Sequence, residues 1–343
     1  MLLAAQPLGA MNGTSRRVLV SRAMHEAHGA LFDAAAAGHA VQWVLLDEQD
    51  AAAPQPVHAA FISRDVTGMS TKQQALEMLA RCYRVLRASP DLAWVQAHSA
   101  GADRPIYPEL RARGVAVTTA SGANAGVVAA TALAGLLALS RRFPQLIAAQ
   151  HQRRWSPLVG AGPLPPDLFG QTVVLVGWGP IAQALQPHLA LLGMKVVVVR
   201  RSTAPAAHGV ETVSHDQLNV VLPRADWLLL ACPLTAETRG LIDAAALARL
   251  PAGAQLINVA RGEVVVEAAL EQALVSGRLA GAYLDVFEHE PLAEASPLWG
   301  HPGVIVTPHS AGQSAGHAAR VAAIFADNLG RWLRGEALRH AVA

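Results

Sequence analysis

Short runs of β-branched and other apolar residues alternate with Ala/Leu-rich stretches from Arg16 onward, and nothing else in the chain restricts its fold as strongly. Residues 17–20, 41–46, 59–62, 93–96 and 115–118 read as strands. An Ala-rich helix follows the first, ending near Gly38, and a helix over 71–89 separates two of the others. A Pro/Gly-rich loop over 156–166 precedes a second series of strands at 172–176, 195–199, 227–231, 255–258, 280–284 and 304–306. These last are nearly all apolar, as strands buried on both faces must be. Alternation of this kind predicts parallel sheets covered by helices. With 343 residues the chain exceeds one ordinary core. The expected fold class is therefore α/β with two doubly wound parallel-sheet domains, inviting a ligand into the cleft between them.

Composition narrows the partners. Hydrophobic residues make up 52% and charged residues 15%, which suits packed domains rather than disorder. A net charge of +2, with no basic run or basic-aromatic stripe, gives no footprint for nucleic acid. Two cysteines, Cys82 and Cys232, provide neither a disulfide framework nor metal-ligand spacing, so no metal is expected and a reducing, cytoplasmic setting fits. The apolar run over 125–139 is shorter than the ~20 residues a membrane span needs, and reads as a buried helix. Residues 1–15 lack the charged start of a signal peptide and read as a loose tail, with Met11 an alternative start.

One segment carries a cofactor fingerprint. The strand Val173-Val-Leu-Val runs into Gly177-Trp-Gly179-Pro180-Ile181-Ala182 and then a helix. Gly177 permits a tight turn, Gly179 lets backbone approach a pyrophosphate, and Ala182 allows close helix–strand packing. The helix start offers N–H groups and partial positive charge to phosphates, and Pro180 suits its first turn. At the end of the next strand, where an NAD site places Asp or Glu, stand Arg200, Arg201 and Ser202. Guanidinium groups bind a 2′-phosphate that a carboxylate would repel, so NADP(H) is favoured, with NAD(H) left open. Pro187, in the interior of the following helix, is expected to kink or shorten it.

Three further strands end in reactive side chains: 257–262 in Arg261, 282–291 in Asp285 and Glu290, and 304–312 in His309. Ligands of open α/β sheets sit at the carboxyl ends of strands, so these side chains can converge on one crevice.

The ordered set of motifs resembles the D-isomer-specific 2-hydroxyacid dehydrogenase family, in particular its glyoxylate/hydroxypyruvate reductase-like members. The likeness runs over about residues 92–312. It comprises Ser99-Ala100-Gly101-Ala-Asp103, the glycine turn, Cys232-Pro233-Leu-Thr235-Ala-Glu-Thr-Arg-Gly-Leu-Ile242, Asn258-Val259-Ala260-Arg261-Gly262, Asp285-Val-Phe-Glu-His-Glu290-Pro291 and Pro308-His309. The resemblance implies reduction of a small 2-keto acid to the (R)-2-hydroxy acid, and the reverse, with a nicotinamide cofactor. Arg261 would clamp the substrate carboxylate and polarise the keto oxygen. His309 would be the general acid and base, imidazole titrating near neutral pH, with Glu290 holding its ring. By the same resemblance the N–H groups of Ala100 and Gly101 would also bind the carboxylate, and Asp285 would meet the nicotinamide amide. Cys232, Pro233, Thr235, Val259, Ala260 and Gly312 would line the cofactor. It further implies a Rossmann cofactor domain, residues 124–312, inserted into a flavodoxin-like substrate domain, residues 1–123 plus 313–343. The two crossings would form a hinge whose closure excludes water. A helix over about 126–139 would mediate a homodimer.

Departures are few. The family commonly carries Glu-His where this chain has Ala130-Thr131. No regulatory domain is expected beyond Ala343, which would weaken the likeness to long phosphoglycerate-type members at that end. Glu290, where formate dehydrogenases have Gln, speaks against formate. The alternative reading is a nucleotide-sensing, corepressor-like scaffold without turnover, which would keep the same motifs but add partner-binding tails.

Overall fold

The computed structural model describes residues 15–50, 52–70, 74–160 and 162–342. The tail expected over residues 1–15 therefore lies, but for Ser15, outside the described residues, as do positions 71–73 of the helix expected over 71–89. Two compact units emerge. One runs to Ala123 and resumes at Ser314, and the other is Asn124–Gln313.

In the first unit five strands, β1 (Arg16–Val20), β2 (Val41–Leu45), β3 (Ala59–Ile62), β4 (Trp94–Ala97) and β5 (Ala116–Thr118), form a sheet in the order β2-β1-β3-β4-β5. All pairings are parallel, and the order is that of a flavodoxin-like doubly wound sheet. The Arg22–Ala35 helix starts where the Ser21 hydroxyl accepts from the Met24 N–H at 3.2 Å. The C-terminal helix His317–Leu333 buries Val321, Ala322, Phe325, Leu329 and Trp332, positions one helical face brings together. Phe325 stacks on Phe61 and Trp94 with ring centroids 4.6 and 5.3 Å apart. That contact ties the end of the chain to the middle of the first sheet.

The second unit carries seven parallel strands: β6 (Thr172–Val176), β7 (Lys195–Val199), β8 (Glu211–Val213), β9 (Trp227–Leu230), β10 (Ala254–Asn258), β11 (Leu279–Leu284) and β12 (Val304–Val306). Their order, β12-β11-β10-β9-β6-β7-β8, is the Rossmann arrangement with one further strand at an edge, and reverses direction between β6 and β9. Successive residues of a strand point to opposite faces, and both faces are covered. Val173, Leu175, Leu229 and Ile257 pack with Leu136, Leu185 and Leu189 of the Ala125–Ser140 and Pro180–Leu191 helices. Val174, Val176, Leu228, Leu230 and Leu256 pack with Leu247, Leu270 and Leu274 on the other face. This two-sided burial is why the strands carry almost no polar residues.

Two differences from sequence expectation have physical reasons. β8 was not anticipated, because Glu211-Thr-Val is a three-residue edge strand, exposed or half-buried, with no apolar run to mark it. The Pro180–Leu191 helix is not shortened at Pro187, which faces solvent while Ala182, Leu185 and Leu189 anchor the helix on both sides of it. Among the described residues no single helix is long and apolar enough to cross a membrane.

Candidate active site

The Gly177 turn leaves β6 at the point where the strand order reverses. Gly177 has φ +102°, its N–H reaches Val199 O at 2.8 Å, and a Cβ there would lie 2.7 Å from Ala231 O. Only glycine meets both demands. Gly179 caps the Pro180–Leu191 helix without a side-chain cap, and a Cβ there would meet nothing within 4 Å. Open space above uncapped N–H groups is what a pyrophosphate requires. Ala182 is fully buried and Ile181 packs partly into the core, so the helix sits tightly on its strand.

Beside this turn the chain continues β7 into Arg200, whose N–H binds Val213 O, and then exposed Arg201 and Ser202. Ser202 Oγ accepts from Ala204 N–H at 3.2 Å, and Arg201 Nε lies 3.4 Å from Glu237 Oε2. On the other flank, β9 runs into Cys232, Pro233 and Thr235. The buried Thr238 hydroxyl accepts from Thr235 N–H at 2.8 Å and reaches Pro233 O at 2.7 Å, knotting this loop. Burial pushes the Cys232 thiol up to about 11, so it stays a neutral packing group.

The adjacent strands β10, β11 and β12 deliver the polar centre at their carboxyl ends. After β10, buried Asn258 accepts from Ala260 N–H at 3.0 Å and donates to Arg261 O at 3.1 Å, folding Val259 and Ala260 into a turn that presents Arg261. The Arg261 guanidinium returns one bond to Ala260 O at 2.8 Å. Gly262 packs so closely that a Cβ would sit 1.8 Å from Phe287 C, which joins the Arg261 turn to the loop after β11.

That loop carries Glu290, whose Oε1 accepts from Phe287 N–H at 3.2 Å. Its Oε2 lies 2.8 Å from His309 Nδ1. The ring therefore donates Nδ1–H to Glu290, which leaves Nε2 as the nitrogen for proton transfer. His309 itself is left-handed, φ +49°, a conformation that costs energy outside glycine and persists only where its surroundings enforce it. Asp285 does the enforcing. Its backbone carbonyl accepts from His309 N–H at 2.8 Å. Its Oδ1 accepts from Thr307 Oγ1 at 2.6 Å, Ser310 N–H at 2.8 Å and Ala311 N–H at 3.1 Å, and its Oδ2 from Ala311 N–H at 3.0 Å. Burial raises the Asp285 carboxyl above its ordinary value, against these hydrogen bonds, which favour the charged form. Gly312 closes the turn against Val128 and Asn124, where a Cβ would be 3.3 and 3.4 Å from their side chains.

Ala100 and Gly101 belong to the other unit, in the loop after β4, which Ser99 Oγ curls by donating to Gly101 O at 2.7 Å. Its neighbour His98 is buried between Thr67 Oγ1 on Nε2, at 3.0 Å, and His317 Nε2 on Nδ1, at 3.1 Å. Burial first, then the nearby His317, Arg64 and Arg104, push its pKa down to about 3, so His98 is neutral.

Residues 133–311 match the family model described as D-isomer specific 2-hydroxyacid dehydrogenase, NAD binding domain. The chain belongs to this family. It is 38% identical over 261 residues, 75% of its own length, to a D-3-phosphoglycerate dehydrogenase of Mycobacterium tuberculosis, but spans only 48% of that protein. It is also 34% identical over 259 residues to a glyoxylate reductase of Thermofilum pendens, covering 74% of this chain and 75% of the other. Among solved structures, a D-isomer specific 2-hydroxyacid dehydrogenase from Xanthobacter autotrophicus, in complex with NADPH and MES, superposes with a TM-score of 0.74 at 30% identity, covering 96% and 98% of the two chains.

For this family member the motif pattern located the Arg261, Glu290 and His309 side chains but not what braces them. Asn258 opens the Arg261 motif and Thr307 precedes Pro308-His309, and each anchors a turn. Tyr283 adds a further bond, its hydroxyl 2.8 Å from Thr307 Oγ1. Thr131, one of the departures, donates to Val127 O at 3.0 Å and reaches Ala311 O at 3.1 Å, linking the Ala125–Ser140 helix to the turn after His309. The signal for these was present only as polar residues in otherwise apolar surroundings.

Proposed function

We propose that the chain reduces a small 2-keto acid to its (R)-2-hydroxy acid, and the reverse, using NADP(H) in preference to NAD(H). The observation carrying this reading is the 2.8 Å contact between His309 Nδ1 and Glu290 Oε2, on a turn that Asp285 holds in a conformation histidine rarely adopts. The nicotinamide supplies or accepts the hydride when bound. In reduction, His309 Nε2 gives its proton to the oxygen that develops negative charge, while Glu290 steadies the ring. Arg261 draws the substrate carboxylate and polarises the keto oxygen, with Ala100 and Gly101 N–H groups as further carboxylate donors. In oxidation the neutral Nε2 removes the hydroxyl proton.

The Asn124–Gln313 unit serves the dinucleotide and also bears Arg261, Glu290 and His309, while the other unit adds the Ala100 and Gly101 N–H groups for the substrate. The glycine turn takes the pyrophosphate; Arg200, Arg201 and Ser202 take the 2′-phosphate; Pro233, Thr235, Val259, Ala260 and Gly312 line the path to the nicotinamide. Asp285, besides anchoring the His309 turn, would offer the carboxamide its Oδ2, which already accepts from Ala311 N–H and keeps a further lone pair. The NADPH-bound relative from Xanthobacter supports the cofactor choice, and the glyoxylate reductase of Thermofilum supports a short keto acid. The same reading takes the protein as a cytoplasmic homodimer.

Loss of absorbance at 340 nm tests it, with NADPH and NADH in parallel against glyoxylate, hydroxypyruvate, pyruvate and phenylpyruvate. Turnover with NADPH preferred is the expected result. Turnover with NADH preferred would overturn the arginine assignment and keep the acid–base pair. Nucleotide binding with no turnover of any keto acid would count against the enzyme reading.

A further inference from the structure

Arg201 leaves β7 and Glu237 leaves the loop after β9, and these are the two strands that flank β6 in the sheet. Their ion pair, Arg201 Nε to Glu237 Oε2 at 3.4 Å, thus joins the loops on either side of the Gly177 turn. Glu237 is not on a loose excursion. The turn that bears it is tied by Thr238, whose N–H and hydroxyl both bond Thr235 or Pro233, and by Arg239 N–H to Thr235 O at 3.0 Å. A carboxylate is therefore presented to the guanidinium that the cofactor reading assigns to the 2′-phosphate.

We propose that Glu237 is a specificity-determining residue, an internal competitor for Arg201 that holds down the preference for NADPH and lets the site keep NADH. The inference rests on the NADP(H) reading given above. Glu237 faces the guanidinium by its Nε alone, at 3.4 Å, so a 2′-phosphate that takes the same Nε edge as a bidentate pair must displace the carboxylate before it gains its own bonds. Once displaced, the carboxylate remains near the phosphate and repels it. With NADH nothing displaces the pair, and Glu237 can accept a hydrogen bond from the ribose 2′-hydroxyl, the role an acidic residue plays in NAD sites.

Titration calorimetry with NADPH and NADH at low salt, on the wild type, Glu237→Gln, Arg201→Ala and the double variant, decides the matter. Removing the competitor should tighten NADPH by about two- to fivefold, the scale of an exposed ion pair, and leave NADH unchanged or weaker. Arg201→Ala should weaken NADPH selectively, and adding Glu237→Gln to it should bring no further gain. If Arg201→Ala fails to weaken NADPH selectively, the 2′-phosphate reading falls and this proposal with it. If Arg201→Ala is selective but Glu237→Gln leaves NADPH unchanged or weaker, only the proposal falls. An equal gain from Glu237→Gln without Arg201 would replace competition by plain repulsion and overturn it as stated.

Discussion

Replacing Gly262 by Ala offers a test of how closely the strand ends that carry Arg261, Glu290 and His309 are fitted to one another. The added Cβ would lie 1.8 Å from Phe287 C, 2.0 Å from Phe287 O and 2.3 Å from Glu288 N, all backbone atoms. Ordinary contact begins near 3.4 Å, so the Arg261 turn and the loop after β11 must part by about 1.6 Å. No side-chain rotation relieves backbone against Cβ. Phe287 N–H is bonded to Glu290, so the displacement passes to the carboxylate that meets His309, or else moves Arg261. Misplacing reacting groups by ~1 Å costs on the order of 10²-fold in rate, and overpacking of this kind costs about 1–3 kcal/mol of stability. The expected result is a fall in kcat/KM of roughly 10²-fold or more. NADPH binding should change less than kcat/KM, because the Gly177 turn follows β6 and only Val259 and Ala260 of the cofactor lining sit on the displaced turn. Steady-state kinetics at saturating cofactor, alongside nucleotide titration and circular dichroism, would measure both. A folded Gly262→Ala protein with wild-type kcat/KM would refute the claim that this contact sets the geometry.

His309→Ala should lower kcat by ~10²-fold or more, and an unchanged kcat would remove His309 from the chemistry. Asp285→Ala leaves Ser310 and Ala311 N–H and the Thr307 hydroxyl without their acceptor; it should lower stability by about 1–3 kcal/mol and reduce kcat, read by thermal melting and turnover. Melting at the wild-type temperature would show that the turn stands without the carboxylate. His98 has its folded pKa depressed to about 3, below the ordinary 6.5, so its neutral form stabilises the fold. That stability is fully present above pH 6.5 and is lost as pH falls towards 3, because the unfolded chain then binds the extra proton. Denaturant titration across this range should show a slope of up to ~1.4 kcal/mol per pH unit from this group, and His98→Gln should flatten it. An unaltered slope in the variant would assign the acid sensitivity elsewhere.

Much of this molecule was readable from one-dimensional pattern. The inner strands of the second unit are buried on both faces, so each had to be written as an apolar run such as Lys195-Val-Val-Val-Val199. The strands lie within a residue or so of where those runs stand. The glycine turn was readable because its demands, φ +102° at Gly177 and close approach to Ala231, are met by glycine alone. Polar edge structure was not. Glu211-Thr-Val213 becomes a strand only because β7 offers it a partner, and no local preference announces it. Local sterics lead one to expect a shortened helix at Pro187, yet the helix runs on through it to Leu191, anchored by Ala182, Leu185 and Leu189.

The sequence by itself determined the alternation of strands and helices, the glycine turn, and which side chains, Arg261, Glu290 and His309, stand at strand ends. It did so because each depends on residues a few positions apart, where backbone sterics and burial period act directly. Tertiary structure alone decided the rest. His309 meets Glu290 19 residues away, a pairing that the family resemblance implied but the local pattern did not, and His98 meets His317 across 219. It is likewise the fold that seats Glu237 against Arg201. Such pairings depend on strand order and loop closure, which no local pattern records, because many different chain paths bury the same apolar runs equally well.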